Sequence, residues 1–457
     1  MSLPNPFRAG GRHGLASTET RDPLGVLVAG LSQFAQSPIL DKLKVRKQTE
    51  ATVFTVTRSG FKVATTAGRT FAKAGKRGQS GTRAPSAGHP GVFDLTPTED
   101  EQMLVDVATE FADEALRPAA SEADTACAAP DELLKASLEI GLPILGVPEE
   151  LGGVYEERSA VAGVLVAEAL AKGDMGLAVA TLAPGAVATA LSLWGTDEQQ
   201  QTYLPAFTEP SEKGVPAAAL ALNEPSVLFD VLTPATTATR RGGTLVLDGV
   251  KSLVPRGADA ELFVVGAVLD GAPVLVLVEA GAEGLTVEGD PAMGVRAAGF
   301  TTLTLDGVTV SEDAILGEAD GSTYAECVRL SRLAWCALAV GTAQAVLDYV
   351  TPYVKEREAF GEPIAHRQAV AFMVADIAIE LQAMRLLTWK AAGRVAQGRD
   401  AGREIALARK LCTDKGMRIG LDGVQLLGGH GFVKEHPVER WYRDLRAIGI
   451  MEGTVLV

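Results

Sequence analysis

From Leu104 onward the apolar residues Leu104, Val107, Ala108, Phe111 and Ala115 recur at the spacing that lines one face of an α-helix. Just before them Thr96 fits an N-cap, Pro97 the first helical position and Glu99 the partner in a capping box, so a helix is expected to begin there. The same period continues through PDELLKASLEIGL, ERSAVAGVLVAEALAKGD and DEQQQTYLPAF, and residues 93–218 read as a helical domain. From about Leu220 the pattern changes. TLVLDGV, ELFVVGAV, PVLVLVEA, GLTVEG and TTLTLDGVTV are short β-rich runs separated by Gly and Asp, which predicts an antiparallel barrel or sandwich over 219–318. After GEADGSTYAECVRL three long helical runs with thick apolar faces follow, the pattern of a bundle with an oligomer interface over 319–457. The fold class is thus α+β and multidomain, in the order helices, strands, helices.

Residues 1–92 stand apart. They hold 14 Lys and Arg against 4 Asp and Glu, a net charge of +10, while the whole chain carries −15. The remaining body therefore carries −25, which argues against nucleic acid as its partner. The stretch GKRGQSGTRAPSAGHPG is a linker by composition, and the chain before it is a basic extension. Two readings of this extension stay open: a basic amphipathic segment in peripheral contact with a membrane or a partner, and a tail resting on the acidic body.

With 47% hydrophobic residues, the chain can bury several cores. Cys127, Cys327, Cys336 and Cys412 are scattered without a CxxC, which favours a reduced, cytoplasmic setting over secretion. The five histidines show no metal-ligand pattern, and ordinary polar roles are expected for His430 and His436. No uninterrupted apolar run reaches the roughly 18 residues that mark a membrane-span candidate. PLGVLVAGLSQFAQSPIL resembles a signal sequence only weakly, since Asp22 precedes it and no small-residue cleavage site follows.

The order of elements does not name a chemistry, but the motifs do. REAFGEPIAHRQAVAFMVADIA, DGVQLLGGHGF and RDLRAIGIMEGT together resemble the C-terminal domain of the acyl-CoA dehydrogenase family. FDLTPTEDEQMLV, GVPEELGGV, GTDEQQQTYLPAF, LDGVKS and MGVRAAGFTTLTLDGVTV are similar to the family's earlier landmarks, in the right order. The resemblance covers roughly residues 93–457. It implies a helical N-terminal domain, a middle β domain, a C-terminal four-helix bundle and FAD between them. The implied reaction is α,β-dehydrogenation of an acyl-CoA to the trans-2-enoyl-CoA, as in fatty acid β-oxidation, with electrons passing to an electron-transferring flavoprotein.

That reaction sets physical demands. The α-proton of a thioester is too weakly acidic for a solvated carboxylate, so the base must be buried and hydrogen bonds must receive the developing enolate. By resemblance Glu452 is the base, with its own N–H on the thioester oxygen and Gly453 beside it at the substrate. The family's alternative base position is Ser331, which cannot serve. Arg332 matches an arginine near the acyl-CoA site. Arg357, Phe360, Gln425, Gly428 and Gly429 match residues that contact FAD across the dimer interface. An arginine's planar fork suits a pyrophosphate, and the glycines allow close backbone approach. Thr454, Asn223 and Val254 match contacts to the chain's own FAD.

The middle domain departs from the family pattern. Where the family reads TEPxxGSD this chain reads NEPSVLFD, so Asn223 replaces a threonine and Phe229 a serine donor. The family's aromatic-Ile-Thr is Leu253, Val254 and Pro255 here, which removes an aromatic face, a hydroxyl and an N–H. Two expectations follow: an active dehydrogenase, homo-oligomeric, with a divergent flavin pocket, or an assembly subunit completing the FAD site of a paralogous chain in a hetero-oligomer. Only VLV follows Thr454, so the Glu452 turn is expected to have little chain holding it.

Overall fold

The structure is a computed structural model that describes residues 97–153, 158–208 and 217–455. All lie in the second of the two units into which the chain divides, Met1–Val92 and Phe93–Val457. The readings of the basic extension, its linker and Thr96 fall outside the described residues.

The first helix, α1 (Glu99–Phe111), is capped by Thr98 rather than by Thr96. Thr98 accepts from the Glu101 N–H at 3.2 Å, and the Glu101 carboxylate accepts the Thr98 N–H at 3.0 Å. The reciprocal box needs its partner three residues on, and Glu101 is further fixed by the Ser159 hydroxyl at 2.8 Å. A π turn at Ala112–Leu116 leads into α2 (Arg117–Ala126), followed by α3 (Asp131–Glu139). Next come α4 (Ala160–Gly173) and α5 (Met175–Trp194), apolar and buried on most sides, then α6 (Asp197–Tyr203) and α7 (Pro205–Thr208).

The β domain contains β1 (Ala218–Ala221), β2 (Thr237–Arg241), β3 (Thr244–Val254), β4 (Leu262–Leu269), β5 (Ala272–Glu279), β6 (Leu285–Gly289), β7 (Thr301–Ser311) and β8 (Ile315–Leu316). They form one sheet in the order β6-β7-β3-β2-β4-β5-β8, with β1 added to β4. The pairs are antiparallel except β1 with β4 and β2 with β4. Its ends, β6 and β8, do not pair with each other, so the sheet stays open where a barrel would close.

The C-terminal domain is built on α8 (Ser322–Glu356), α9 (Gln368–Ala396) and α10 (Gly402–Leu427), closed by the short α11 (Val438–Asp444). The expected four-helix bundle therefore has three long members and one short one. Helices α5 and α8 are long and apolar enough by composition to cross a membrane, contrary to the run-length reading. Isolated Thr, Ser, Arg and Gly residues hid this in the sequence, and both helices are mostly buried inside the protein.

A buried ion-pair network ties the three domains together. Asp174, the N-cap of α5, accepts Arg440 of α11 at 2.9 Å, and Asp444 of the same helix accepts the Val295 N–H of the β domain at 2.6 Å. Burial, reinforced by the Asp174 carboxylate, pushes the Asp444 pKa up to about 8. An unfolded Asp titrates near about 3.9, so the folded state holds an extra proton between these values and stability falls as pH rises through that window. Asp444→Asn keeps the acceptor and removes the titration. Between pH 5 and pH 8, wild type should lose up to about 1.4 kcal/mol per pH unit relative to this variant, measured by urea denaturation.

Candidate active site

Residues 447–455 make a tight turn. After one 3₁₀ turn at Ala447–Gly449, Glu452 and Gly453 both take left-handed backbone conformations, with φ of +53° and +93°. For a glutamate this is strained, and it persists only where the surroundings fix it. Here Arg409 of α10 donates to the carbonyls of Met451 at 2.6 Å, Glu452 at 2.9 Å and Gly453. Arg332 of α8 adds two donors to the Glu452 carbonyl, at 3.1 and 2.8 Å. The Thr454 N–H reaches the Phe229 carbonyl at 2.9 Å, and the Val455 N–H reaches Gly449 at 3.0 Å. The turn expected to be loosely held is gripped by two guanidinium groups.

Sequence reasoning missed Arg409. Its signal was present, since Ile405, Ala408, Arg409 and Cys412 are all buried at helical spacing on α10. A cation on an apolar stripe must meet a partner inside. Burial lowers its pKa to about 10, and the Arg332 cation acts in the same direction. Arg332 is likewise lowered by burial.

The Glu452 side chain is 5% exposed and meets donors from two domains. Ser331 donates to Oε1 at 2.6 Å, Trp335 one helical turn further donates to the same oxygen at 3.3 Å, and Asn223 donates to Oε2 at 3.1 Å. The serine at the alternative base position thus holds the glutamate. Asn223 is fixed through its carbonyl, which accepts the Ser252 N–H at 3.0 Å. Beside it the fully buried Lys251 pairs with Glu224 at 2.8 Å, and burial lowers the Lys251 pKa to about 8. The Glu452 N–H donates no hydrogen bond among the described residues.

Ser331 also lines an apolar cavity of about 200 Å³ between three helices. Ala160, Gly163, Val164 and Ala167 face it from α4; Leu182, Gly185, Ala186 and Thr189 from α5; Cys327, Leu330, Ser331 and Ala334 from α8. Each set follows the i, i+3, i+4, i+7 stripe, so the walls run about 10 Å along each helix. A side chain at Gly163 would meet open space, with nothing within 4 Å of its Cβ.

A second cavity, of about 720 Å³, brings together Arg357, Phe360, Gln425, Gly428 and Gly429, with Arg367 and His430 beside them. Phe360 is 95% exposed under the Arg367 guanidinium, and added Cβ atoms at Gly428 and Gly429 would meet nothing within 4 Å. Two cations and open glycine backbone fit a diphosphate-bearing cofactor. His430 and His436 stack with centroids 5.3 Å apart and bond to Tyr353 and Tyr349.

The chain's own side of such a cofactor fits less well. A cavity of about 550 Å³ lies between Leu253 and the turn at Met451 and Val455, so there is room. The polar groups, however, are engaged: the Thr454 N–H binds the Phe229 carbonyl and its hydroxyl lies 3.4 Å from the Val227 carbonyl. Phe229 is buried in a core with Val231 and Tyr324. Val254 is not brought to the site by its side chain, which is fully buried in the sheet core while its carbonyl accepts the Thr301 hydroxyl.

Comparison with known proteins gives this geometry its family. Residues 98–210 match the acyl-CoA dehydrogenase N-terminal domain, 219–308 its middle domain and 321–456 its C-terminal domain. The short-chain specific acyl-CoA dehydrogenase of Megasphaera elsdenii is 30% identical over 375 residues, covering 79% of this chain and 96% of that protein. The solved butyryl-CoA dehydrogenase of Megasphaera elsdenii superposes with a TM-score of 0.73 at 28% identity, over 79% of this chain and 96% of that one. A chain solved in work on the electron transferring flavoprotein of Acidaminococcus fermentans gives a TM-score of 0.73 at 31% identity, over 79% and 96%. The protein belongs to the acyl-CoA dehydrogenase family, FAD-binding oxidoreductases that act on the CH–CH group of acyl-CoA.

Proposed function

We propose that the chain dehydrogenates a short acyl-CoA at its α and β carbons, with Glu452 as the base. The observation that carries this reading is the position of Glu452. Its buried carboxylate sits on a strained turn gripped by Arg332 and Arg409, and it shares Ser331 with the apolar cavity. An acyl chain entering that cavity passes the Ser331 hydroxyl and competes for its place beside the carboxylate. The freed oxygen then takes the α-proton. The Glu452 N–H, uncommitted among the described residues, donates to the thioester oxygen as the enolate develops. Gly453 allows the thioester to lie against the turn, because it carries no side chain there.

FAD, when bound, supplies the acceptor for the β-hydrogen. Arg357, Gln425, Gly428, Gly429 and Phe360 are the residues that would hold the cofactor of a neighbouring subunit, whereas Asn223 and Thr454, expected on the chain's own side, are engaged by Glu452 and by the Phe229 and Val227 carbonyls. The exposed apolar residues Phe372, Ile379, Leu407 and Leu421 on α9 and α10 suit packing against that neighbour. The electron acceptor is an electron-transferring flavoprotein, in line with the similar chain from the Acidaminococcus work. The cavity is below the usual size of about 300–1,000 Å³ for small-molecule sites, which favours a short acyl group.

The engaged Thr454 donors and the buried Phe229 favour a second reading. In it the chain completes the FAD site of a paralogous partner and holds little flavin itself.

Flavin content of the purified chain separates the two readings. About one FAD per chain, bleached anaerobically by butyryl-CoA, is expected for the enzyme; flavin present only on co-expression with a second dehydrogenase chain would establish the assembly role. Glu452→Gln should keep its flavin and lose bleaching by at least about 1,000-fold in stopped-flow absorbance, and bleaching near the wild-type rate would remove Glu452 as base. An added Cβ at Gly163 meets nothing within 4 Å, so Gly163→Ile starts its side chain in open space, with circular dichroism checking the fold. It should raise KM for hexanoyl-CoA roughly tenfold more than for butyryl-CoA, as expected for about 1–3 kcal/mol of discrimination in an apolar pocket.

A further inference from the structure

Just past the end of β3 stands Arg256, whose backbone is left-handed with φ of +51°. An arginine holds that conformation only where its surroundings fix it. Its N–H donates to the carbonyls of Ala298 at 2.9 Å and Gly299 at 3.1 Å, at the end of the 3₁₀ turn Arg296–Ala298. The contact brings two arginines, Arg256 and Arg296, to one cavity of about 230 Å³. Residues 127–129 line it from the loop between α2 and α3, and Asp290 and Phe300 line it from the β domain.

The fold leaves these guanidinium groups poorly matched. Arg256 is 7% exposed, and its Nε and Nη1 are sealed from solvent without a hydrogen-bond partner among the described residues. Its one ion pair among those residues is with Asp259 at 3.9 Å, too long for a hydrogen bond, and the Asp259 side chain is 66% exposed. Arg296 donates its Nε–H to the Asp124 carbonyl at 2.9 Å and lies 3.8 Å from the Asp124 carboxylate, which Arg443 holds at 2.9 and 3.0 Å. The other lining carboxylate, Asp290, accepts the Leu253 N–H and the Thr302 hydroxyl. A buried cation without a hydrogen-bonded partner is costly, and two arginines at one small cavity call for an anion from outside the fold.

We propose that this cavity binds a phosphate group, as the free ion or as a small phosphomonoester, at the seam of the helical and β domains. A tetrahedral phosphate offers acceptors in several directions, so two guanidinium forks can pair with it at once, whereas a planar carboxylate matches one. The volume of about 230 Å³ lies below the usual 300–1,000 Å³ of small-molecule sites, which favours a single phosphate over a whole nucleotide. Bound there, it joins the loop at 127–129 to the β domain and stabilises the folded chain by linkage. The site is independent of the dehydrogenase reading, since neither arginine bonds to the Glu452 turn.

Calorimetric titration of the purified full-length chain with sodium phosphate, in phosphate-free buffer, should give saturable binding with Kd of about 1 mM or tighter and a raised melting temperature. Arg256→Gln should weaken binding at least about tenfold, as for loss of a hydrogen bond to a charged group, without lowering the melting temperature in phosphate-free buffer. Asp259→Asn removes only the competing exposed carboxylate and should tighten binding. Glycerol 3-phosphate binding more tightly than phosphate would identify an ester as the ligand, and the reverse order the free ion. Absence of saturable binding in the wild type overturns the proposal, as does weaker binding in Asp259→Asn. Equal binding of acetate would mean a site for any anion, and displacement of phosphate by FAD or CoA would place the arginines on those ligands; either result also overturns it. Should Arg256→Gln fail to fold, the wild-type and Asp259→Asn titrations decide.

Discussion

Arg409 reaching three successive carbonyls of the Glu452 turn is the contact on which the site depends. A glutamate in a left-handed conformation is strained by itself and persists only where its surroundings fix it. The arginine supplies what local sequence does not, binding Met451, Glu452 and Gly453 from the far side while Arg332 adds two further donors. Charge-assisted hydrogen bonds are among the stronger contacts available inside a protein. Their cost is one buried and one half-buried cation, offset by the carbonyl dipoles and by the Glu452 carboxylate nearby.

Around that grip the three domains divide the work. The C-terminal helices supply both arginines, Ser331 and Trp335; the β domain supplies Asn223 and the Phe229 carbonyl; the N-terminal helices supply two of the three cavity walls. The relative placement of the domains therefore decides the geometry at Glu452. The buried network of Asp174, Arg440 and Asp444 fixes that placement where the domains meet.

Much of this was legible in the sequence because it rests on periodicity and on short ordered motifs. The change from helical to strand spacing near Leu220 marks the β domain, and MEGT marks the turn. Arg357, Phe360, Gln425, Gly428 and Gly429 line one cavity, and it was the family resemblance of two separate motifs, not their spacing, that grouped them. What was not legible depends on contacts between distant segments. Arg409 and Trp335 look like ordinary helix positions until α8 and α10 are packed on the turn. The open edge of the sheet depends on whether β6 meets β8, which strand propensity does not encode. Ser331 was readable as a residue unable to act as a base, but its bond to Glu452 is a matter of geometry alone. Val254 shows the reverse: its place in the motif suggested a cofactor contact, while its side chain is buried in the sheet core.

The most direct measurement is exchange of the α-hydrogen of butyryl-CoA into D₂O, followed anaerobically by mass spectrometry for wild type and Arg409→Gln. It reports the base without a complete turnover. The account predicts enzyme-catalysed deuterium uptake in the wild type and a loss of about 100-fold in the variant, as expected when a reacting group is displaced by roughly 1 Å, with the fold intact by circular dichroism. Uptake at the wild-type rate in folded Arg409→Gln would contradict it.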